Sequence, residues 1–256
     1  MWGVFSLNYY MHSRVKIEVK GLNKTFGANH VLKDIDLDIR YEESLAVIGG
    51  SGSGKSVLLR CIAGLFIPDD GSSVTIDHEI VTYKHISQRT SFAKKFGMLF
   101  QNGALFDSLP IWQNVAFGLL RVGKFSKDEA RKIAVDKLTM VELNSNIIDL
   151  YPSELSGGMQ KRVALARAIA TEPEIIFFDE PTSGLDPITA RSITKLIKDL
   201  ARHLHATTVI ITHDMFCMRN ISDKVAVIKD GQIIWHGNIA DIEKVQNSYI
   251  QDFIAV

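Results

Sequence analysis

An α/β fold built on a parallel sheet is predicted by three changes of pattern along the chain. Leu45–Ile48, Gly97–Phe100, Ile175–Phe178 and Thr208–Ile211 are short, nearly continuous apolar runs. Runs of that length suit strands covered on both faces, as in a parallel sheet flanked by helices. Ahead of them, Val15, Ile17 and Val19 alternate with Arg14, Lys16 and Glu18, and Ile35, Leu37 and Ile39 alternate with Asp34, Asp36 and Asp38. This period of two predicts a small N-terminal antiparallel sheet that buries one face and wets the other. Between the second and third apolar runs, about 102–156, the pattern becomes helical, which predicts an inserted α-helical subdomain.

In chain order, residues 1–13 are expected to form an N-terminal tail without order, or to lie upstream of a true start at Met11. The segment MWGVFSLNYYMHSR lacks the basic start and the apolar length of a signal peptide. One large domain is then expected over 14–240. Helices are predicted over Ser56–Gly64, Met159–Ala170 and Thr189–His203. Within the insertion, Ser126 followed by Glu129 has capping-box spacing. Ala130, Ile133, Ala134, Leu138 and Val141 then share one helical face. Val225–Ile228 and Gln232–Trp235 flank Asp230-Gly231, a tight hairpin signal. Residues 241–256 complete the chain as a helical extension.

Composition narrows the function class. Apolar residues make up 46% of the 256, enough for a sizeable core. Lys+Arg and Asp+Glu are both 29, and this balance argues against a dedicated nucleic-acid binder. No apolar run reaches the roughly 18–20 residues that span a bilayer, so work at a membrane requires another chain to cross it. Two cysteines, Cys61 and Cys217, make no disulfide framework and read as buried thiols.

Gly49-Gly50-Ser51-Gly52-Ser53-Gly54-Lys55-Ser56 fits the phosphate-loop pattern, after a predicted strand and before a predicted helix. Glycines let successive N–H groups curl toward an anion, and the helix start adds positive potential. Lys55 is placed to reach the β- and γ-phosphates, and the Ser56 hydroxyl to ligate Mg²⁺. The strand Ile175–Phe178 runs into Asp179 and Glu180. Asp179 is placed at the carboxyl end of the sheet, where it can help hold Mg²⁺, and Glu180 can accept a proton from an attacking water. Leu155-Ser156-Gly157-Gly158-Met159-Gln160 opens a helix with free N–H groups, a hydroxyl and the positive dipole end. That is a second potential anion site; on its own it reads better as an ordinary N-cap with flexible glycines.

In this order the motifs resemble the ATP-binding cassette (ABC) family of P-loop NTPases, with its RecA-like core, from about Val15 to Gly237. The resemblance implies that Phe26 stacks on adenine. It implies that Gln101 contacts Mg²⁺ or water and senses a membrane partner. Ser183-Gly184-Leu185-Asp186 looks like the D-loop, and His213 looks like the switch histidine near the γ-phosphate. It further implies a head-to-tail homodimer in which Gly49–Ser56 of one copy and Ser156–Gly158 of the other sandwich one ATP. Transmembrane permease subunits are the implied partners, at the cytoplasmic face of the inner membrane. The stretch 102–120, with Leu105, Phe106 and Leu109, is expected to supply the contact to them. Gly50 stands where Pro is usual and Val57 where Thr is usual, and neither change removes a ligand.

Residues 99–109, 114–117 and 152–159 look like the ATPase subgroup of Mla/Mce-type lipid transporters, relatives of which carry a ribonucleotide-transport label. This implies a lipid cargo and an Mce-type substrate-binding protein. The alternatives are the ATPase of an amino-acid or lipoprotein system, or a non-transport cassette. The non-transport cassettes of the family usually insert long coiled coils or carry two cassettes per chain, and this chain has neither. A P-loop kinase would need neither the Ser-Gly-Gly helix start nor the D-loop.

Overall fold

The computed structural model describes residues 14–81, 95–123 and 125–255. The expected tail, 1–13, lies outside them. The parallel core forms where the apolar runs predict it, with boundaries shifted by a residue or two. β3 (Ser44–Ile48), β7 (Ile175–Asp179) and β8 (Thr207–Ile211) are buried at every position. With β6 (Phe96–Leu99), β9 (Lys224–Lys229) and β10 (Gln232–Asn238) they make a six-stranded sheet of order β10-β9-β3-β8-β7-β6. All neighbours pair parallel except β9 and β10. That last pair closes through Asp230 and Gly231, both at positive φ, as a two-residue hairpin turn requires.

β1 (Val15–Phe26) and β2 (Asn29–Arg40) pair antiparallel, and β4 (Ser73–Ile76) and β5 (Glu79–Ile80) extend the sheet in the order β2-β1-β4-β5. The apolar/acidic alternation of β2 holds: Ile35, Leu37 and Ile39 are buried and the three aspartates face out. That of β1 holds at Ile17 and Val19, both buried, and breaks at Lys16. A register shift between Val15 and Ile17 turns Lys16 inward, where it is 3% exposed and paired with Asp77 at 2.8 Å and Glu174 at 2.5 Å. The bulge thus replaces a wetted lysine with a buried ionic tie between the two sheets.

Side-chain alternation along β7 divides the core in two. Ile175 and Phe177 point to the layer shared with the antiparallel sheet and helix α1 (Lys55–Ile62). Ile176 and Phe178 point to the opposite layer, formed by α5 (Gly157–Ile169), α6 (Pro187–His203) and α7 (Met215–Ile221). Gly97 permits the close crossing of β6 and α5, since a Cβ there would lie 2.1 Å from the Ala168 carbonyl oxygen.

The insertion is helical: α2 (Ile111–Val115), α3 (Phe117–Val122) and α4 (Lys127–Met140). Ser126 and Glu129 form the capping box in both directions. Ala130, Ala134, Leu138 and Val141 are buried, with Ile133 partly so. The C-terminal segment is a 3₁₀ turn over Ile239–Lys244 and a short helix, α8 (Ser248–Ile254). It lies against a third cluster with Ala46, Ile48, Val225 and Val227. Among the described residues no helix is long and apolar enough to cross a membrane.

Candidate active site

Parallel pairing brings the carboxyl ends of β3, β7 and β8 to one edge, and each strand delivers a functional loop there. β3 runs into Gly49–Gly54. Gly49 has φ +154° with no room for a Cβ, which would sit 2.1 Å from the Ile228 carbonyl oxygen. Gly54 has φ +106°, and a Cβ there would meet Leu32 at 2.8 Å. The loop is therefore pressed against β9 and β2 in a conformation that only glycine adopts freely.

Lys55, 8% exposed, folds back over the loop and donates to the carbonyls of Gly49 and Gly50, each at 2.9 Å. Burial pulls its pKa below the ordinary value, and the nearby Glu180 and Asp179 carboxylates oppose that shift. The Ser56 hydroxyl donates to Asp179 Oδ1 at 3.0 Å. Arg60, one turn further along α1, lies 3.5 Å from Asp179 Oδ2. Ser53 Oγ is buried without a hydrogen-bond partner, which leaves a donor within the loop for an incoming anion.

Glu180 follows β7 at φ +52°, with its N–H held by the Ile211 carbonyl at 2.9 Å. His213, after β8, is exposed, and its Nδ1 lies 2.7 Å from Glu180 Oε2. That oxygen is buried and accepts no well-directed hydrogen bond, so the contact with His213 is one of proximity. Gln101, at the end of β6, is exposed, and its amide reaches Ser183 Oγ at 3.4 Å. Lys55, Ser56, Asp179, Glu180, His213 and Gln101 thus gather at one edge of the sheet.

The other predicted residues lie on further elements, apart from Val57, which follows Ser56 on α1. Phe26, 43% exposed, ends β1 edge-on to Phe66 at 5.5 Å, with the Lys24 ammonium over its ring. Ser156, Gly157 and Gly158 open α5, where Ser156 Oγ accepts from the Met159 N–H at 3.4 Å. Ser156 and Gly157 are exposed. Asp186 caps α6, accepting from Ile188 and Thr189 N–H at 3.0 Å each. Val57 is partly buried on α1.

Three residues at the site were not singled out for it by sequence. Lys161, 7% exposed, donates to the Gln101 carbonyl and feels Glu180 and Asp179, while burial lowers its pKa. Its position one turn into α5 was visible, but its direction was not. Arg60 offered the spacing of one helical turn from Ser56. Tyr249, on α8, accepts the Gly50 N–H at 2.9 Å, and nothing local in the sequence links positions 199 apart.

The donor set fits Mg²⁺. Ser56 and Asp179 offer two hard oxygens side by side, and the described residues hold no cluster of three or more metal-ligating side chains. An ion held by one or two protein oxygens plus phosphate is the habit of Mg²⁺.

Residues 32–183 match the family described as ABC transporter. The L-cystine import ATP-binding protein TcyC of Bacillus subtilis is 43% identical over 223 residues, covering 86% of this chain and 90% of the relative. The probable ribonucleotide transport ATP-binding protein mkl of Mycobacterium leprae is 39% identical, and the methionine import ATP-binding protein MetN of Coxiella burnetii 38%. Here the match spans only 64% and 65% of the relatives' lengths and 87% and 89% of this chain. Among solved structures, the cassette MJ0796, dimeric in a post-hydrolysis state with ADP and Pi, aligns with TM-score 0.80 and 33% identity over 87% of this chain and 98% of its own. CbiO1 of Clostridium perfringens, part of the transporter complex cbiONQ, aligns with TM-score 0.79 and 30% identity over 94% and 99%. With the phosphate loop, the carboxylates after β7 and the matched span taken together, the chain is an ATPase cassette of the ABC transporter family.

Proposed function

We propose that this chain energises a transporter by hydrolysing ATP at the edge of the parallel sheet, with Glu180 as the general base. The observation that carries the reading is the convergence of Lys55, Ser56, Asp179, Glu180 and His213 at the carboxyl ends of three adjacent parallel strands. In this scheme the loop N–H groups and Lys55 hold the phosphates, and Lys55 exchanges its carbonyl contacts for phosphate oxygens. Ser56 and Asp179 hold Mg²⁺, with Gln101 able to approach it. Bound there, the ion neutralises charge developing on the transferred phosphoryl group. Glu180 takes a proton from water, and His213, beside it, orients that carboxylate and faces the γ-phosphate. Phe26 stacks on adenine.

The active unit is a head-to-tail homodimer, in which Ser156–Gly158 and Asp186 of one copy complete the site of the other. The exposure of the Ser156–Gly157 helix start supports this arrangement, as do the dimeric cassettes of similar structure. Permease subunits dock on the insertion at the cytoplasmic face of the membrane. Phe106, 40% exposed and stacked on Phe117 at 4.4 Å, offers an apolar contact beside Gln101. The buried Asn114 amide holds that loop in shape through Phe106 and Leu109.

For the cargo, the names of TcyC and MetN favour an amino-acid-type solute. A second reading, lipid transport with an Mce-type binding protein, draws on the stretches 99–109 and 152–159. Purifying the chain with its permease and identifying retained small molecules by mass spectrometry separates the two. An amino acid that stimulates ATP turnover supports the first reading; co-purified phospholipid with no response to amino acids overturns it in favour of the second.

A further inference from the structure

The C-terminal segment is anchored outside the phosphate loop and reaches it through the Tyr249 hydroxyl. Ile250 and Ile254 are buried against Ala46, Ile48, Val225 and Val227 on the outer side of the sheet. Asn247 caps the helix through the Ile250 N–H, and Gln251 ties it back to the carbonyls of Glu243 and Val245. Arg219 reaches the segment from α7, 3.3 Å from Glu243. Held in this way, Tyr249 presents its hydroxyl to the Gly50 N–H at 2.9 Å, while the Lys229 ammonium lies 4.7 Å from its ring centre.

Gly50 sits in a loop with Gly49, Gly52 and Gly54, and glycine loses more conformational freedom on ordering than any other residue. Gly50 itself is outside the left-handed region, so its freedom is not required for its conformation. Its N–H is the group through which the rest of the fold restrains it. The carbonyl of the same residue accepts from Lys55 at 2.9 Å and from the Ser53 N–H at 3.3 Å, and a phosphate that draws Lys55 away leaves only the contact with Ser53, inside the loop itself. Tyr249 then remains as the tether that reaches Gly50 from outside the loop.

We infer that Tyr249 is a positioning residue for ATP: its hydroxyl, delivered by the C-terminal helix, holds the Gly50 peptide in the phosphate-binding form of the loop. The inference rests on the nucleotide reading of Gly49–Ser56. The test uses the full chain, Mg²⁺-ATP titrated by calorimetry, and steady-state hydrolysis. Tyr249→Phe keeps the ring and removes the acceptor. It should weaken ATP binding about 3- to 10-fold, the worth of one net hydrogen bond, and raise KM with kcat within about twofold of the parent, as loss of uniform binding does. Tyr249→Leu should match Tyr249→Phe in affinity if the hydroxyl acts. A role for the ring alone would leave Tyr249→Phe like the parent.

Two further measurements keep the idea falsifiable. Amide exchange at Gly50 should quicken in Tyr249→Phe while that at the buried Ile250 stays protected, which separates loop release from undocking of α8. Gly50→Pro places a ring carbon where the N–H hydrogen pointed, against the Tyr249 hydroxyl. It should therefore harm binding in the parent and be partly rescued by Tyr249→Ala. Parent-like affinity in Tyr249→Phe, or simple additivity of Gly50→Pro with Tyr249→Ala, overturns the inference. Lys55→Ala serves as the control: a parent that binds no ATP, like this variant, would refute the nucleotide reading itself and not Tyr249 alone.

Discussion

Glu180 is held by two features that a change of charge would leave in place. Its N–H is fixed to the Ile211 carbonyl, and its backbone is bent to φ +52° immediately after the fully buried strand β7. The carboxylate is thereby turned toward His213 rather than left on a mobile side-chain stalk. Glu180→Gln preserves shape and removes the base. It should keep ATP binding and slow turnover by at least ~10²-fold, the usual contribution of a general base. Nucleotide titration alongside phosphate-release kinetics checks this, and near-parent turnover would remove Glu180 from the role. Gly54 makes the same point about the backbone. Gly54→Ala strains a φ of +106° and drives a methyl into Leu32, so ATP affinity should fall together with thermal stability in a melting curve.

At the scale of elements, the antiparallel sheet and the parallel sheet are joined by a charged knot. Lys16 meets Asp77 and Glu174, and Asp77 also meets Lys95 at 2.9 Å and accepts from the Tyr41 hydroxyl. Burial works against the Asp77 charge, but the Lys16, Tyr41 and Lys95 hydrogen bonds win and hold its pKa down to about 2. A depressed carboxyl contributes stability above its unfolded pKa of about 3.9 and loses it as pH falls toward 2. Tyr41 is raised to about 12 by burial and then by Asp77, so its share is present below pH ~10 and is lost as pH rises toward 12. Asp77→Asn should cost about 1–3 kcal/mol at pH 7 by denaturant unfolding, because the buried Lys16 loses its closest directed partner but Glu174. The difference from the parent should shrink as the pH falls from 4 to 2. A pH-independent difference would assign the loss to packing.

This knot also marks where reading the sequence stopped short. The apolar runs of β3, β7 and β8 and the capping box of α4 were legible because their signals are local: run length, period and a spacing of three. Lys55, Ser56, Asp179 and Glu180 were legible for the same reason, since the phosphate loop and the two carboxylates each follow a recognisable strand, whereas Gln101 and His213 came only from the family resemblance. The burial of Lys16 was not legible, because an irregularity in the register of β1 between Val15 and Ile17 turns Lys16 inward beside the buried Ile17. Strands β4 and β5 are only four and two residues long, too short for a period to show. Tyr249 and Lys161 owe their places to packing between distant segments.

At the scale of the whole molecule, the proposed pairing of Ser156–Gly158 with the phosphate loop of a second copy makes a strong prediction about stoichiometry. If the site is composite, Ser156→Arg should abolish hydrolysis while ATP still binds the loop of the single cassette. Lys55→Ala should be inactive through the other half of the site. In a symmetric head-to-tail pair, the mixed dimer of these two inactive chains carries one site with both defects and one with neither. Mixing them in equal amounts should therefore restore hydrolysis to at most about a quarter of the parent rate, because half the dimers are mixed and each has one sound site of two. A site contained within one chain has no such route, and the mixture would stay as inactive as its components. Phosphate release measured on the mixture and on each chain alone decides between a cassette that works singly and one whose catalytic unit is a pair.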